Sequence, residues 1–241
     1  MKNANGYYSI PDLVKKMYHL DNEAFDTEWL CKKPSRKHLV YSKFDENIHV
    51  INCDFNSSFP LALSNDWGGV DPFVVLVWQE IPGRGSVIVD EFYQDNIDNP
   101  RVIELCKSRK WWPYAQRKYG YGDPARQDLI REWRSAGILM QSTKSGLDDI
   151  SMVRTRLAPM RGDPTLYINR KCKMTIWEFN HYRKDKNDHP LDRDNHAMDC
   201  VRYYIRGTYR GEAKRPRVSL GHSKDLLGRP LSKWPFWKGD K

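Results

Sequence analysis

The run Phe73-Val-Val-Leu-Val-Trp-Gln-Glu-Ile81 constrains the fold more than any other stretch. It is rich in β-branched residues and apolar without alternation, the pattern of a strand buried on both faces. Pro82-Gly-Arg-Gly85 then supplies a hairpin turn, and residues 86–93 return as a second strand. Ahead of them, Leu61-Ala-Leu-Ser-Asn-Asp66 is a third short apolar run, closed by the turn signal Trp67-Gly68-Gly69. The three form an antiparallel meander. A sheet buried on both faces needs helices on each side. Helical spacing recurs over residues 99–111, 125–136, 148–160, 171–182 and 196–206, with short extended stretches at 48–55, just before Asp123, at 138–141 and at 166–168. The expectation is an α/β domain over residues 48–206, built on a mixed central sheet. Residues 1–47 read as an N-terminal arm or linker, with a short helix near 10–18 and an apolar stretch at 25–34. Residues 207–241, with Pro216, Pro230 and Pro235 among Lys214, Arg215, Arg217, Lys224, Arg229 and Lys233, read as an extended basic tail.

Charge narrows the partners. Lys and Arg number 40 against 31 Asp and Glu, a net charge of +9. Such an excess favours a polyanion, chiefly nucleic acid, through release of condensed counterions; general solubility is the plainer alternative. The five cysteines, Cys31, Cys53, Cys106, Cys172 and Cys200, are odd in number and form no C-x-x-C pair. A disulfide framework or zinc knuckle is therefore not expected, and a reducing compartment is. The first residues do not read as a signal peptide, and no apolar run reaches the roughly 20 residues that span a bilayer.

Against this basic background three aspartates stand out, each at the boundary of a different element. Asp66 ends the first apolar run, Asp123 follows Tyr119-Gly-Tyr-Gly122, and Asp199 lies in Asn195-His-Ala-Met-Asp199-Cys-Val-Arg-Tyr. If the fold gathers them, the product is a carboxylate cluster that holds hard divalent cations. Two such ions can activate a water and stabilise the leaving oxygen of a phosphodiester. Each aspartate has a plainer reading: Asp66 as a turn residue, Asp123 as a helix cap, Asp199 as a salt-bridge partner of an arginine. Glu91 near the end of the third strand, and His196 one helical turn before Asp199, are auxiliary candidates. Asp54 ranks below Asp66 as the first carboxylate. The chain has no G-x-x-x-x-G-K-[ST], no G-x-S-x-G and no H-E-x-x-H, so phosphate-loop, hydrolase-elbow and zincin chemistry are not expected.

Taken together, Asp66-Trp-Gly-Gly-Val-Asp-Pro-Phe-Val-Val-Leu-Val, Val87-Ile-Val-Asp-Glu91, Gly122-Asp-Pro-Ala-Arg126 and Asn195-His-Ala-Met-Asp199 resemble, in order and character, the motifs of the nuclease domain of tailed-bacteriophage terminase large subunits. The resemblance covers roughly residues 48–206. It implies an RNase H-like fold and an endonuclease using two Mg2+ or Mn2+ ions, cutting concatemeric viral double-stranded DNA during genome packaging in the host cytoplasm. It implies Asp66, Asp123 and Asp199 as metal ligands, with Asp66 shared between the ions and Asp194 or Asp192 as rivals of Asp199. Arg126, Lys144, Arg193 and Arg202 become candidates for gripping the duplex backbone. The packaging ATPase domain, the small terminase subunit and the portal become candidate partners, with no membrane involved. Family members carry the packaging ATPase ahead of the nuclease, so this chain is expected to be the nuclease portion. Two alternatives remain: another RNase H-like nuclease, such as a junction resolvase or transposase core, and a non-catalytic DNA-binding packaging module.

Overall fold

The computed structural model describes residues 38–68 and 71–214. The chain divides into two units, Met1–Thr208 and Tyr209–Lys241, and the sheet lies in the first. The expected helix near residues 10–18, the stretch at 25–34 and the basic run from Arg215 onward lie outside the described residues.

In chain order the elements are α1 (Glu46–His49), β1 (Val50–Ile51), β2 (Leu61–Asp66), β3 (Phe73–Ile81), β4 (Gly85–Gln94), α2 (Asn99–Lys107), α3 (Trp112–Ala115), β5 (Tyr119–Gly122), α4 (Gln127–Ser135), β6 (Leu139–Ser142), α5 (Leu147–Leu157), β7 (Leu166–Asn169), α6 (Lys173–His181) and α7 (His196–Lys214). Seven strands form one sheet in the order β1-β7-β4-β3-β2-β5-β6. β3 is antiparallel to both neighbours, which gives the expected meander. The other pairings are parallel, so every strand except β3 runs the same way. The carboxyl ends of β2, β5 and β6 therefore share one edge of the sheet, the place where open α/β sheets bind ligands.

β3 is buried on both faces, as its sequence requires. Val74, Leu76 and Trp78 enter a core formed with α5, α6 and α7. Phe73, Val75 and Val77 enter a second core formed with α2, α3 and α4. A bulge in β4 shifts its register against β3 between Val77 and Trp78. An extra residue in a strand reverses which face later side chains meet. Thus Ile88 lies in the α7-side core, while Phe92 lies in the opposite one, and Glu91 and Tyr93 are turned toward α6.

Some boundaries differ from the sequence reading. Only Val50–Ile51 of the expected 48–55 strand pairs; Ile48 and His49 belong instead to the one-turn helix α1, which starts where the Asp45 side chain accepts the Asn47 N–H. The helix expected over 99–111 stops at Lys107, and α3 begins separately at Trp112. Leu39, Val40, Tyr41 and Phe44 are buried, so core packing begins ahead of residue 48. The last helix continues beyond 206 to Lys214.

α7 is clamped to the sheet by close aromatic contact. The rings of Trp78 and Tyr204 stack with centroids 3.9 Å apart and planes 3° from parallel. Trp78 Nε1 donates to Ser64 Oγ at 2.8 Å. Further along the helix, Gly207 lies against the Tyr121 ring, and a Cβ there would overlap it. Helix propensity alone favours Ala over Gly by about 1 kcal/mol. Overpacking a buried ring costs roughly 1–3 kcal/mol, and Tyr121 has no room to move aside, being only 6% exposed. Gly207→Ala is therefore expected to lower stability by about 1 kcal/mol or more, read as a reduced urea midpoint; an unchanged or raised midpoint would show that the helix does not depend on this contact.

Candidate active site

β2 and β5 run parallel, with Asn65 opposite Gly122. Asp66 ends β2 and Asp123 directly follows β5, so the two leave neighbouring strands, about 4.8 Å apart, at the same edge of the sheet. The loops that follow are locked together. The Trp67 ring lies over Gly122 where any Cβ would overlap it, and Trp67 Nε1 donates to the backbone carbonyl of Asp123 at 3.0 Å. Gly122 is thus required by the close approach of the indole rather than by its backbone angles.

α7 covers this pair. His196 Nδ1 donates to Asp66 Oδ2 at 2.9 Å. That hydrogen bond raises the imidazole above its ordinary range, against the opposing effect of burial. Two turns along the helix, the Tyr203 hydroxyl donates to Asp123 Oδ2 at 3.4 Å. Its phenol is raised first by burial and then by the Asp66 and Asp123 carboxylates. Between them, Cys200 is fully buried, and its thiol is raised well above normal by burial and then by Asp66. Three side chains at i, i+4 and i+7 of one helix thus face the two aspartates.

Asp123 Oδ1 also accepts the Ala125 N–H at 2.7 Å, which starts the turn into α4. Asp123 does not cap the helix as the plainer reading expected: α4 starts at Gln127 with Arg126 ahead of it and no side-chain cap, so Asp123 turns the chain before the helix and leaves its other oxygen toward Tyr203. Asp199 lies on the same helix, but its Oδ1 is paired with Arg202 Nη2. That is the arginine pairing weighed as the plainer alternative. Arg202 is only 11% exposed, with its guanidinium turned to Asp199. Among the described residues, no group of three or more His, Cys, Asp or Glu side chains is poised to hold a metal ion. The fold brings Asp66, Asp123 and His196 together, while the Asp199 carboxylate, on the same helix as His196, is engaged by Arg202.

Glu91 is placed differently from expectation. It lies three residues inside β4 and caps α6, accepting the N–H of Met174 at 3.0 Å, and the N–H and hydroxyl of Thr175 at 2.9 and 2.8 Å. A carboxylate at a helix N-terminus with three donors is structurally committed. Asp194 is exposed in the turn before α7, with a left-handed φ of 53°, and pairs with Arg193 at 3.8 Å. Asp192 is exposed in the same turn. Asp54 follows β1, near the opposite edge of the sheet, with its side chain 90% exposed. Arg126 and Lys144 are exposed at the carboxyl ends of β5 and β6, beside Asp123.

Two residues of the neighbourhood escaped the sequence reading. Tyr203 could have been found as the i+7 partner of His196. Glu178 had one signal, a carboxylate among Thr175, Ile176 and Phe179 on the buried face of α6. Its Oε1 accepts the Tyr93 hydroxyl at 2.8 Å, and its Oε2 accepts the N–H groups of Ala197 and Met198 at 2.9 and 3.1 Å.

No protein-family model and no curated protein sequence matches the chain. Solved structures do. The large terminase of a thermophilic bacteriophage superposes with a TM-score of 0.61 at 18% identity, over 84% of this chain and 53% of that one. The chain has the fold of a large-terminase nuclease domain. The P22 large terminase nuclease domain matches with a TM-score of 0.61 at 13% identity, over 71% of this chain and 92% of its own. The nuclease of the thermophilic phage G20c, solved with bound magnesium, matches with a TM-score of 0.50 at 14% identity, over 71% of this chain and 98% of its own. This chain spans about half the length of the first of these large terminases, and the likeness is to its nuclease-type architecture.

Burial pushes the Glu178 carboxyl from its ordinary 4.5 up to about 7, while hydrogen bonds from Tyr93, Met198 and Ala197 and the nearby His196 pull the other way. Between these values the unfolded chain has released the proton and the folded chain still holds it. The stabilising contribution is therefore complete below about pH 4.5 and is lost as pH rises through about 7. Glu178→Gln, which cannot ionise, is expected to gain stability relative to wild type between pH 5 and pH 8; parallel melting curves across that range would contradict this assignment.

Proposed function

We propose that the chain is a divalent-metal-dependent endonuclease that cuts double-stranded DNA. In this reading it is the nuclease portion of a terminase large subunit, cleaving concatemeric viral DNA during genome packaging in the host cytoplasm. The observation that carries the reading is the strand register that sets Asp66 beside Asp123 at the carboxyl edge of the sheet, in a fold shared with large-terminase nucleases.

The donor chemistry fits the cation. Asp66 and Asp123 offer hard oxygens side by side, suited to Mg2+ or Mn2+, and terminase nucleases of the G20c phage were solved with magnesium and with cobalt. Asp66 and Asp123 would hold the first ion, and Asp199, once it leaves Arg202, would complete the set for a second. Bound ions of this kind supply an activated water and charge stabilisation at the leaving oxygen. The chain's own residues do the rest. His196 orients Asp66 through their hydrogen bond. Tyr203 orients Asp123. Arg126, Lys144 and Arg193 supply exposed cations for the phosphate backbone, which fixes position without reading sequence. The packaging ATPase domain, the small terminase subunit and the portal are the partners this role calls for.

Plasmid digestion tests the reading. Linear and circular duplex should be cut in Mg2+ or Mn2+ and not in EDTA. Asp66→Asn should lose activity by at least about 100-fold, the scale of removing one group that stabilises transition-state charge, while its melting curve stays cooperative. Full activity of that variant would sink the assignment. Cutting confined to branched DNA would point to a resolvase instead, and salt-sensitive binding with no cleavage to a packaging module.

A further inference from the structure

We propose that Glu178 is the positioning residue of this site: its carboxylate fixes the first turn of α7, and with it the directions of His196 and Asp199. That role rests on the reading of Asp66, Asp123 and Asp199 as the cation-holding group.

Glu178 is 0% exposed. A buried carboxylate is costly unless it is well supplied with donors. Here it receives three neutral ones from two elements beyond its own: the Tyr93 hydroxyl from β4 and the amides of Ala197 and Met198 from α7. The two amides belong to the second and third residues of the helix, whose N–H groups have no partner within it. Capping is ordinarily local and falls to the residue just ahead of the helix. That residue is Asn195, and its side chain is instead hydrogen-bonded to Tyr182. The task passes to a side chain on another helix, which ties α7 to α6 and β4 as well as closing its end.

The location is what gives this contact its consequence. His196 is the first residue of α7 and Asp199 the fourth, so both stand on the turn that helices fray first. The residues leading into it, Asp192, Arg193 and Asp194, are exposed. With the carboxylate in place, His196 meets Asp66 at 2.9 Å. Without it, the first turn has lost its remote anchor and both side chains lose their fixed origin. Glu178 itself would touch neither ion nor DNA.

The experiment separates reach from charge, using Mn2+ binding measured by isothermal titration without DNA. Glu178→Gln keeps an oxygen within reach of both amides and discards the charge. Glu178→Asp keeps the charge and shortens the reach by one methylene. Glu178→Asp is expected to bind Mn2+ about 10- to 100-fold more weakly, the usual cost of losing a residue that orients metal ligands. Glu178→Gln should stay within about threefold of wild type, and kcat for plasmid cleavage should follow the same order while KM holds. Unaltered Mn2+ binding in Glu178→Asp, or a Gln variant weaker than the Asp variant, overturns the positioning role. Asp66→Asn is titrated alongside. If it abolishes binding while Glu178→Asp binds normally, the positioning role fails and the site reading stands; Mn2+ uptake that survives in Asp66→Asn removes both.

Discussion

Two carboxylates set side by side on adjacent parallel strands repel one another, and much of the sheet's carboxyl edge is organised around that repulsion. At strand spacing the unfavourable term is several-fold larger in a half-buried setting than in water. The chain meets it with donors rather than with distance. His196 serves Asp66, and Tyr203 and the Ala125 amide serve Asp123. The indole of Trp67, bonded to the Asp123 carbonyl, keeps the two strand ends from parting.

The donors can act only because α7 is held rigidly. Three attachments fix it: the Trp78–Tyr204 stack, the fit of Gly207 against Tyr121 and the Glu178 contact at its start. They are spread along the helix, so they fix its rotation as well as its distance from the sheet. Rotation is the sensitive variable. A helix turns about 100° per residue, and a small roll would carry His196 off Asp66 and Tyr203 off Asp123 together.

Much of the frame was legible in the sequence, and the reasons are local. β2 and β3 carry their burial in their composition, and the turn that joins β3 to β4 is written in Gly83 and Gly85, both at positive φ. Asp66 and Asp123 could be singled out as strand-end carboxylates, but their adjacency depends on parallel pairing of segments far apart in the chain, which periodicity does not encode. Their grouping came from resemblance to terminase motifs instead. Glu91 could not be placed from sequence for two reasons. The β4 bulge turns its side chain toward α6, and its partners, Met174 and Thr175, lie 83 and 84 residues away. The Arg202–Asp199 pair is different. Its i, i+3 spacing was visible on any helical reading, and the plain salt-bridge interpretation predicted it. Tyr93 and Glu178 were hidden for the same reason as Glu91, since a hydrogen bond spanning 85 positions leaves no mark on either neighbourhood.

These satisfied carboxylates also bear on how a cation would be held. Asp66, Asp123 and Asp199 each have an internal partner. An entering ion would therefore exchange protein contacts for ligand contacts, and its affinity would be the difference between the two sets rather than the sum of the new ones. The exchange is uneven across the three. Asp66 faces a histidine, which can lose its proton. Asp123 faces a phenol, a neutral donor that gives way cheaply. Asp199 faces a guanidinium that stays charged at every relevant pH, in a setting only 11–21% exposed. On the proposed metal-binding reading, the β2–β5 pair would be the easier place for a cation to settle, and recruitment of Asp199 would be the costlier step. That ordering follows from the chemistry of three partner side chains on a single helix, and it makes the geometry of α7 decisive for how fully the site can be occupied.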